Sequence, residues 1–361
     1  MVPLNLPLVE FLLSAQAQAA LAELAGQELG EQASLELLTR LRRTWQPDQA
    51  AALLDQARLR RKAGDKFPHP ERLLFTDDAL QQASSRAVAA YRAQQFAAAL
   101  DPSPFTDHRS PLAVADLGCG IGADTIALAE AGLHVLAVER DPVRARMAAA
   151  NAAALGLAAR VDVLCTDWLA LFSSEDGWRG AKPHAAFVDP GRRVGEQRIF
   201  RLDAMDPPIA AVLALLAAVP TLAVKTLPGI ADEDIPPGAE VEFISERGQM
   251  KEALLRLGAL RTGAARRATL LPGPHHLDSN ASQSDAPASQ PLAWLYEPDA
   301  AVIRATLVQH LAALLGAAQL DPTIAYLTSQ QPVETPFARR WAVLRHGPFH
   351  LKTLNRWLRE L

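Results

Sequence analysis

The chain has only two cysteines, Cys119 and Cys165, in 361 residues. That excludes a disulfide scaffold and leaves too few thiols for a cysteine-based zinc site. The histidines do not replace them. His69 stands alone, and His275-His276 lie in a polar stretch without helical metal-ligand spacing, so no metal is expected. A surplus of positive charge is also missing. The formal net charge is -4, which excludes a global polycation of the histone kind but leaves room for a local basic patch. Long apolar runs are missing too. The longest uncharged run, residues 207–224, begins Pro-Pro and is broken again by Pro220, whereas a membrane helix needs roughly 20 continuous apolar residues. It reads as a buried helix, a turn and a buried strand. Residues 1–20 contain Glu10 and no Lys or Arg, unlike the basic start of a secretory signal. The expectation is a cytoplasmic protein with no membrane partner.

What is present is enough apolar surface for a core: 49% hydrophobic against 21% charged. At about 100–200 residues per domain, two or three folding units are expected. Residues 1–100 read as helical, with Leu35, Leu37, Leu38 and Leu41 on one face and a break at Lys66-Phe67-Pro68-His69-Pro70. Thr76 can cap a helix running on to about Leu100, with Asp77 and Asp78 favoured in its first turn. Asp101-Pro102-Ser103-Pro104 reads as a loop.

From Leu112 short apolar runs alternate with helical segments, the pattern of a parallel sheet covered by helices. Strands are expected over 114–117, 134–138, 161–165, 185–188 and 222–224. Two closing strands, 240–245 and 265–271, are expected with a helix over 250–257 between them. Residues 274–292, rich in Ser, Asn and Pro, read as a flexible linker. The expected domains are a helical N-terminal domain (1–105), an α/β Rossmann-like domain (106–273), the linker, and a small α+β C-terminal domain (293–361).

The chemistry-bearing positions gather where strands end. Asp116-Leu117-Gly118-Cys119-Gly120-Ile121-Gly122 joins a strand to a helix, and glycine there lets backbone approach a ligand. Glu139 ends the next strand, where an acid can accept both ribose hydroxyls. These two features fit NAD as well as S-adenosylmethionine. Asp167 after the third strand can accept from an adenine amino group, and Trp168 beside it either stacks on adenine or packs in the core. Asp189-Pro190 ends the fourth strand, and Lys225 ends the fifth, facing substrate or simply solvent. In an open α/β sheet the ligand crevice lies outside these carboxyl ends.

Asp116-x-Gly118-x-Gly120-x-Gly122, Glu139, Asp167 and Asp189-Pro190 resemble the first four motifs of class I S-adenosylmethionine-dependent methyltransferases. The resemblance implies a seven-stranded methyltransferase sheet, S-adenosylmethionine as cofactor, and a binding set of Asp116, Gly118, Gly120, Gly122, Glu139, Asp167 and Trp168. The Lys66-Phe67-Pro68 break, Leu74-Phe75-Thr76, Gln82-Ala83-Ser84-Ser85, Asp189-Pro190-x-Arg192-Arg193 and Trp294-Leu295-Tyr296-Glu297-Pro298 are similar to a bacterial methyltransferase group. That group carries a THUMP-like C-terminal domain and is distantly similar to trimethylguanosine synthases. It implies an RNA-type substrate.

Asp189 and Pro190 are the candidate catalytic pair, since an Asp or Asn followed by proline can align an exocyclic amine for methyl transfer through its side chain and backbone carbonyl. Similar amino-methyltransferases have a second proline and an aromatic residue next; this chain has Gly191-Arg192-Arg193. Arg192 or Arg193 can stack on a base or hold phosphate, or be a solvated turn. Phe75 is a candidate stacking ring, or core. Basic residues cluster over 40–66, with eight Lys or Arg against three acids, and over 337–361, with six against one, where Trp341, Phe349 and Trp357 are interleaved. This suits a nucleic-acid surface, and equally two solvated helix faces. The expected activity is methylation of a nucleobase amine in RNA, with guanine the candidate base. The alternatives are a methyltransferase acting on a small molecule or protein, and an RNA-interaction module without turnover.

Overall fold

The computed structural model describes residues 2–100, 113–173, 182–190, 193–194, 197–198, 205–285 and 287–360. The loop expected over residues 101–104 lies outside them. The chain forms two compact units: residues 1–240 with 253–262, and residues 241–252 with 263–361.

The first unit opens with helices α1 (Leu6–Leu13), α2 (Ala15–Ala25), α3 (Glu31–Leu41) and α4 (Pro47–Lys62). Asn5 and Ser14 cap the first two by accepting from the Leu8 and Ala17 amides. Of the expected leucine face, Leu37 and Leu41 are buried, while Leu35 is exposed. Thr76 caps α5 (Asp77–Gln82), as expected, but the helix does not run through: it stops at Ala83 and restarts as α6 (Arg86–Leu100). The buried leucines of α1, α2 and α4 share one core with Phe67, Leu73, Leu74 and Phe75, and with Ile121, Ile126 and Met147 from beside the sheet. Buried Asn151 joins the two regions, accepting from the Leu74 amide (2.8 Å) and donating to the Leu74 and Ile121 carbonyls (3.1 Å each).

Strands β1 (Ala113–Leu117), β2 (His134–Glu139), β3 (Val161–Cys165) and β4 (Ala185–Val188) follow, with α7 (Ala123–Glu130) after β1, α8 (Pro142–Ala154) after β2 and the short α9 (Trp168–Ser173) after β3. A two-residue ribbon, β5 (Arg193–Val194) with β6 (Gln197–Arg198), precedes α10 (Ile209–Ala214) and β7 (Thr221–Thr226). In the sheet, β3, β2, β1, β4 and β7 are consecutive parallel neighbours. Successive strands therefore leave β1 in opposite directions, which makes the carboxyl end of β1 and β4 the topological switch point.

Residues 249–257 are strand, not the expected helix. Met250-Lys251-Glu252-Ala253-Leu254-Leu255-Arg256-Leu257 is made of helix formers, and local propensity points the wrong way. Here Arg247 (φ 52°) and Gly248 (φ 77°) turn the chain tightly after β8 (Glu240–Glu246). Residues 252–257 of β9 (Gln249–Leu257) are buried on both faces, and Leu222↔Leu257 to Thr226↔Ala253 pair antiparallel with β7. Sheet burial overrides propensity.

The division between the units crosses the chain at three places, 240/241 in β8, 252/253 in β9 and 262/263. In the second unit β8 pairs in parallel with β10 (Arg266–Leu271), and β10 pairs antiparallel with β11 (His275–Asp278). The start of the expected linker is thus an ordered strand, with Leu277 buried in a polar run. Beyond it, β12 (Trp294–Pro298), β13 (Ala318–Asp321), β14 (Ile324–Ser329) and β15 (Ala338–Ala342) make an antiparallel sheet of order β13-β14-β12-β15. Helices α11 (Ala300–Arg304) and α12 (Val308–Leu315) lie between β12 and β13, and α13 (Leu351–Arg359) follows β15. Among the described residues no single helix is long and apolar enough to cross a membrane.

Candidate active site

The glycine turn after β1 has the backbone that glycine alone takes readily: φ is 88° at Gly118, 57° at Gly120 and 94° at Gly122. A β-carbon on Gly118 would stand 3.1 Å from the Asp189 carbonyl oxygen, so the β1 and β4 ends meet there only because the side chain is absent. A β-carbon on Gly120 would meet nothing within 4 Å, which leaves an open cradle beside the turn. The Gly118 and Cys119 amides donate to the Val138 carbonyl (2.9 and 3.1 Å), and Gly122 opens α7.

Glu139 does more than end β2. Its carboxylate accepts from the Gly120 amide (3.0 Å) and the Asp141 amide (2.9 Å), tying the glycine turn to the start of α8. Asp167 is exposed and accepts from the Leu169 amide (2.9 Å) at the start of α9. Trp168 is buried, so its ring is wall rather than an exposed stacking platform. Buried Asp116 accepts from the Thr125 hydroxyl (2.5 Å). Burial pushes its carboxyl up to about 7, the nearby Asp124 and Asp189 carboxylates add to this, and Thr125 and Arg92 oppose it. Burial and the Asp116 and Glu139 carboxylates also push the Cys119 thiol up, so it stays protonated and is a small filler rather than a nucleophile.

Asp189 is half-buried at the end of β4. Its carboxylate is 2.7 Å from the buried Lys225 ammonium on β7. Lys225 also donates to Ser84 (3.4 Å), and the Ser84 hydroxyl donates to Asp124 (3.0 Å). Asp124 in turn holds the Arg92 guanidinium, which is 2% exposed and lies 4.1 Å over the Phe187 ring. Sequence reasoning missed Ser84, Asp124 and Arg92 as site residues. One signal was available: in α6 the buried positions Val88, Ala89, Ala93 and Phe96 form one stripe, and Arg92 interrupts it.

Other expected substrate contacts fall elsewhere. Phe75 is fully buried and packs edge-on against Phe67 at 5.1 Å, so it offers no face to a base. Arg192 lies outside the described residues, and of Arg193 only the backbone is described. Part of the basic surplus over 40–66 is tied to neighbouring chain, while Arg40, Arg42, Arg43, Arg58, Arg61 and Lys62 are exposed. Arg60 is buried and donates to the Leu73 carbonyl, Lys62 pairs with Asp77, and Lys66 donates to the Leu80, Gln81 and Ala83 carbonyls.

Two Mycobacterium tuberculosis proteins, from strains CDC 1551 and H37Rv, are each 32% identical to this chain over 327 residues, covering 87% of it and 83% of themselves. Both are named uncharacterized S-adenosylmethionine-dependent methyltransferases. Residues 112–189 match a family model described as RNA cap guanine-N2 methyltransferase, and residues 5–63 match a domain of unknown function. A candidate methyltransferase from Porphyromonas gingivalis W83 matches with a TM-score of 0.72 at 20% identity, covering all of this chain and 88% of that one. That likeness bears on the fold. The mycobacterial identity, over 87% of the chain, places it among the S-adenosylmethionine-dependent methyltransferases, with S-adenosylmethionine as its cofactor.

Proposed function

We propose that the chain methylates an amine on a nucleobase in RNA, with guanine the best-supported base. The observation that carries this reading is the Asp189 carboxylate, held at the switch point of the sheet by Lys225 and touching the glycine turn through its own backbone. The match of residues 112–189 to a guanine-N2 methyltransferase model supports the base. When bound, S-adenosylmethionine supplies a sulfonium methyl group, and as the new nitrogen–carbon bond forms, the carbon–sulfur bond breaks with its electron pair left on sulfur. Asp189 accepts an N–H of the acceptor amine and turns its lone pair toward the methyl carbon. The proton shed by the alkylated nitrogen passes to water. The Asp189 carbonyl, fixed by Pro190 behind it, lies against Gly118.

The open cradle at Gly120 fits the cofactor. Glu139 holds both that turn and the ribose, Asp116 supports the turn from below through Thr125, and exposed Asp167 faces the nucleoside. Replacing Glu139 with Ala should weaken S-adenosylhomocysteine binding by about 10- to 100-fold in calorimetry, the range expected for lost charged hydrogen bonds. Unchanged affinity would place the cofactor elsewhere.

The RNA-binding part of the reading rests on the second unit, which we assign the THUMP-like role. Trp341 and Phe349 are 44% and 84% exposed, and α13 carries Lys352, Arg356 and Arg359. Exposed rings stack on bases, and cations take phosphates. Replacing Arg356 and Arg359 together with Ala should weaken RNA binding about equally across sequences. It should also flatten the salt dependence by roughly 1.4 in log–log slope, about 0.7 per lost contact to a single strand. A salt series of gel shifts measures it. The central test is transfer of a labelled methyl group to total cellular RNA. Incorporation into nucleosides on digestion supports the reading, and label confined to protein or small molecules replaces it with one of those substrate classes. RNA binding without incorporation into any fraction leaves a binding module.

A further inference from the structure

We infer that Lys225, Ser84, Asp124 and Arg92 form a buried charge chain that positions the Asp189 carboxylate, with Lys225 as its working end. The inference rests on the proposed role of Asp189 as the amine acceptor. The chain runs from α6 through Ser84, in the break between α5 and α6, and the first turn of α7 to the ends of β7 and β4. Along it charge alternates: Arg92 positive, Asp124 negative, the Ser84 hydroxyl between, Lys225 positive, Asp189 negative. The four charges sum to zero, which is how so many ions can be buried together. Arg92, Ser84, Asp124 and Lys225 are each no more than 9% exposed, whereas the Asp189 side chain is 27% exposed. The chain therefore surfaces at one carboxylate, at the carboxyl end of the sheet.

That arrangement does two things that solvent contacts at Asp189 would not. The Lys225 ammonium, 2.7 Å away, fixes the carboxylate that accepts an N–H of the amine. Ser84 and Asp124 fix where Lys225 stands, so the carboxylate keeps one orientation as the amine arrives. A buried lysine has a long, flexible stem, and without such anchors its ammonium would roam. Ser84 lies where the helix predicted to run from Thr76 to Leu100 breaks, and the break aims its hydroxyl at both neighbours. Lys225, Ser84, Asp124 and Arg92 act through Asp189 and are positioning residues.

The test uses the full chain, with the Asp189 carboxyl followed by carbon-13 NMR and assigned by its loss in Asp189→Asn. Methyl transfer is measured from labelled S-adenosylmethionine to total RNA of a strain lacking the gene, and S-adenosylhomocysteine binding by calorimetry. In Lys225→Met, the Asp189 carboxyl resonance at neutral pH should shift as its cation 2.7 Å away is removed, and kcat should fall about 10- to 100-fold with KM near its original value. S-adenosylhomocysteine affinity should stay within about threefold. Ser84→Ala should lower kcat and leave KM near its original value. If Lys225→Met does not fold, as judged by lost S-adenosylhomocysteine binding, Lys225→Arg serves instead: charge is kept but displaced, so kcat falls while S-adenosylhomocysteine still binds. An Asp189 resonance and a kcat both unmoved by Lys225→Met, or a Lys225→Arg enzyme with full kcat, overturns the inference. Turnover retained by Asp189→Asn overturns the amine-orienting role itself, and the NMR result then still decides whether Lys225 controls the carboxylate.

Discussion

Asp189→Asn is expected to lower methyl transfer about 1000-fold while S-adenosylhomocysteine still binds within about threefold of the original affinity, a loss worth roughly 4 kcal/mol of transition-state stabilisation. Asparagine is the informative replacement. It keeps the shape of the side chain and an oxygen for the Lys225 ammonium 2.7 Å away, and it removes the negative charge and turns the other acceptor oxygen into an NH2 donor. Alanine would also strand the buried Lys225 without its anion, which mixes a structural effect into the rate. The size of the effect follows from geometry. The carboxylate stands at the switch point, where the β4 end presses on the Gly118 turn to 3.1 Å of a β-carbon position, so the cofactor cradle and the acceptor share one rigid corner. An amine that loses its orienting acceptor there keeps its binding contacts and loses its alignment, and the effect falls on kcat. Single-turnover rates on the labelled RNA substrate measure it. A kcat within tenfold of the original would mean that the acceptor is aligned by another group.

The parts of this site that the sequence announced are those fixed by local chain geometry. The strand, glycine turn and helix from Ala113 to Glu130 are constrained within themselves, because the turn needs φ values only glycine tolerates and the helix needs its first residue placed by that turn. The acid that ends β2 sits at a distance set by the length of α7. Features fixed by distant packing were not legible. Nothing local says that Met250-Lys251-Glu252-Ala253 is strand; two-sided burial beside β7 decides it. Nothing local says that Phe75 is closed off, since the core it joins, with Phe67, Leu53 and Ile121, is drawn from separate segments. Glu139 was expected at a ribose, yet its bonds to the Gly120 and Asp141 amides show a structural duty that spacing alone could not reveal. Charge counts also ignore destination: within the first basic run Arg60 and Lys66 turn to backbone carbonyls while the other six basic side chains stay exposed.

Asp124→Ala is expected to destabilise the first unit by about 3–5 kcal/mol, the cost of removing one member of a buried ion pair. Arg92 is 2% exposed, and with Asp124 gone its guanidinium keeps the Phe187 ring face at 4.1 Å but no nearby anion from that helix turn. For a unit of this size the midpoint of thermal unfolding should fall by roughly 10 °C, at about 2–4 °C per kcal/mol. The double replacement Arg92→Met with Asp124→Leu removes both charges and restores apolar volume, so most of that stability should return, because buried ion pairs exchange for apolar residues at little cost. The rate should not return with it. Ser84 would lose the acceptor 3.0 Å away, and Lys225 would lose the orientation that Ser84 transmits. Stability and turnover therefore separate in the double variant if the pair serves Asp189, and recover together if the pair only fills the core. Urea unfolding of the single and double variants, beside methyl transfer by the double variant, gives both numbers. A double variant as stable as the original and equally fast would reduce Arg92 and Asp124 to packing.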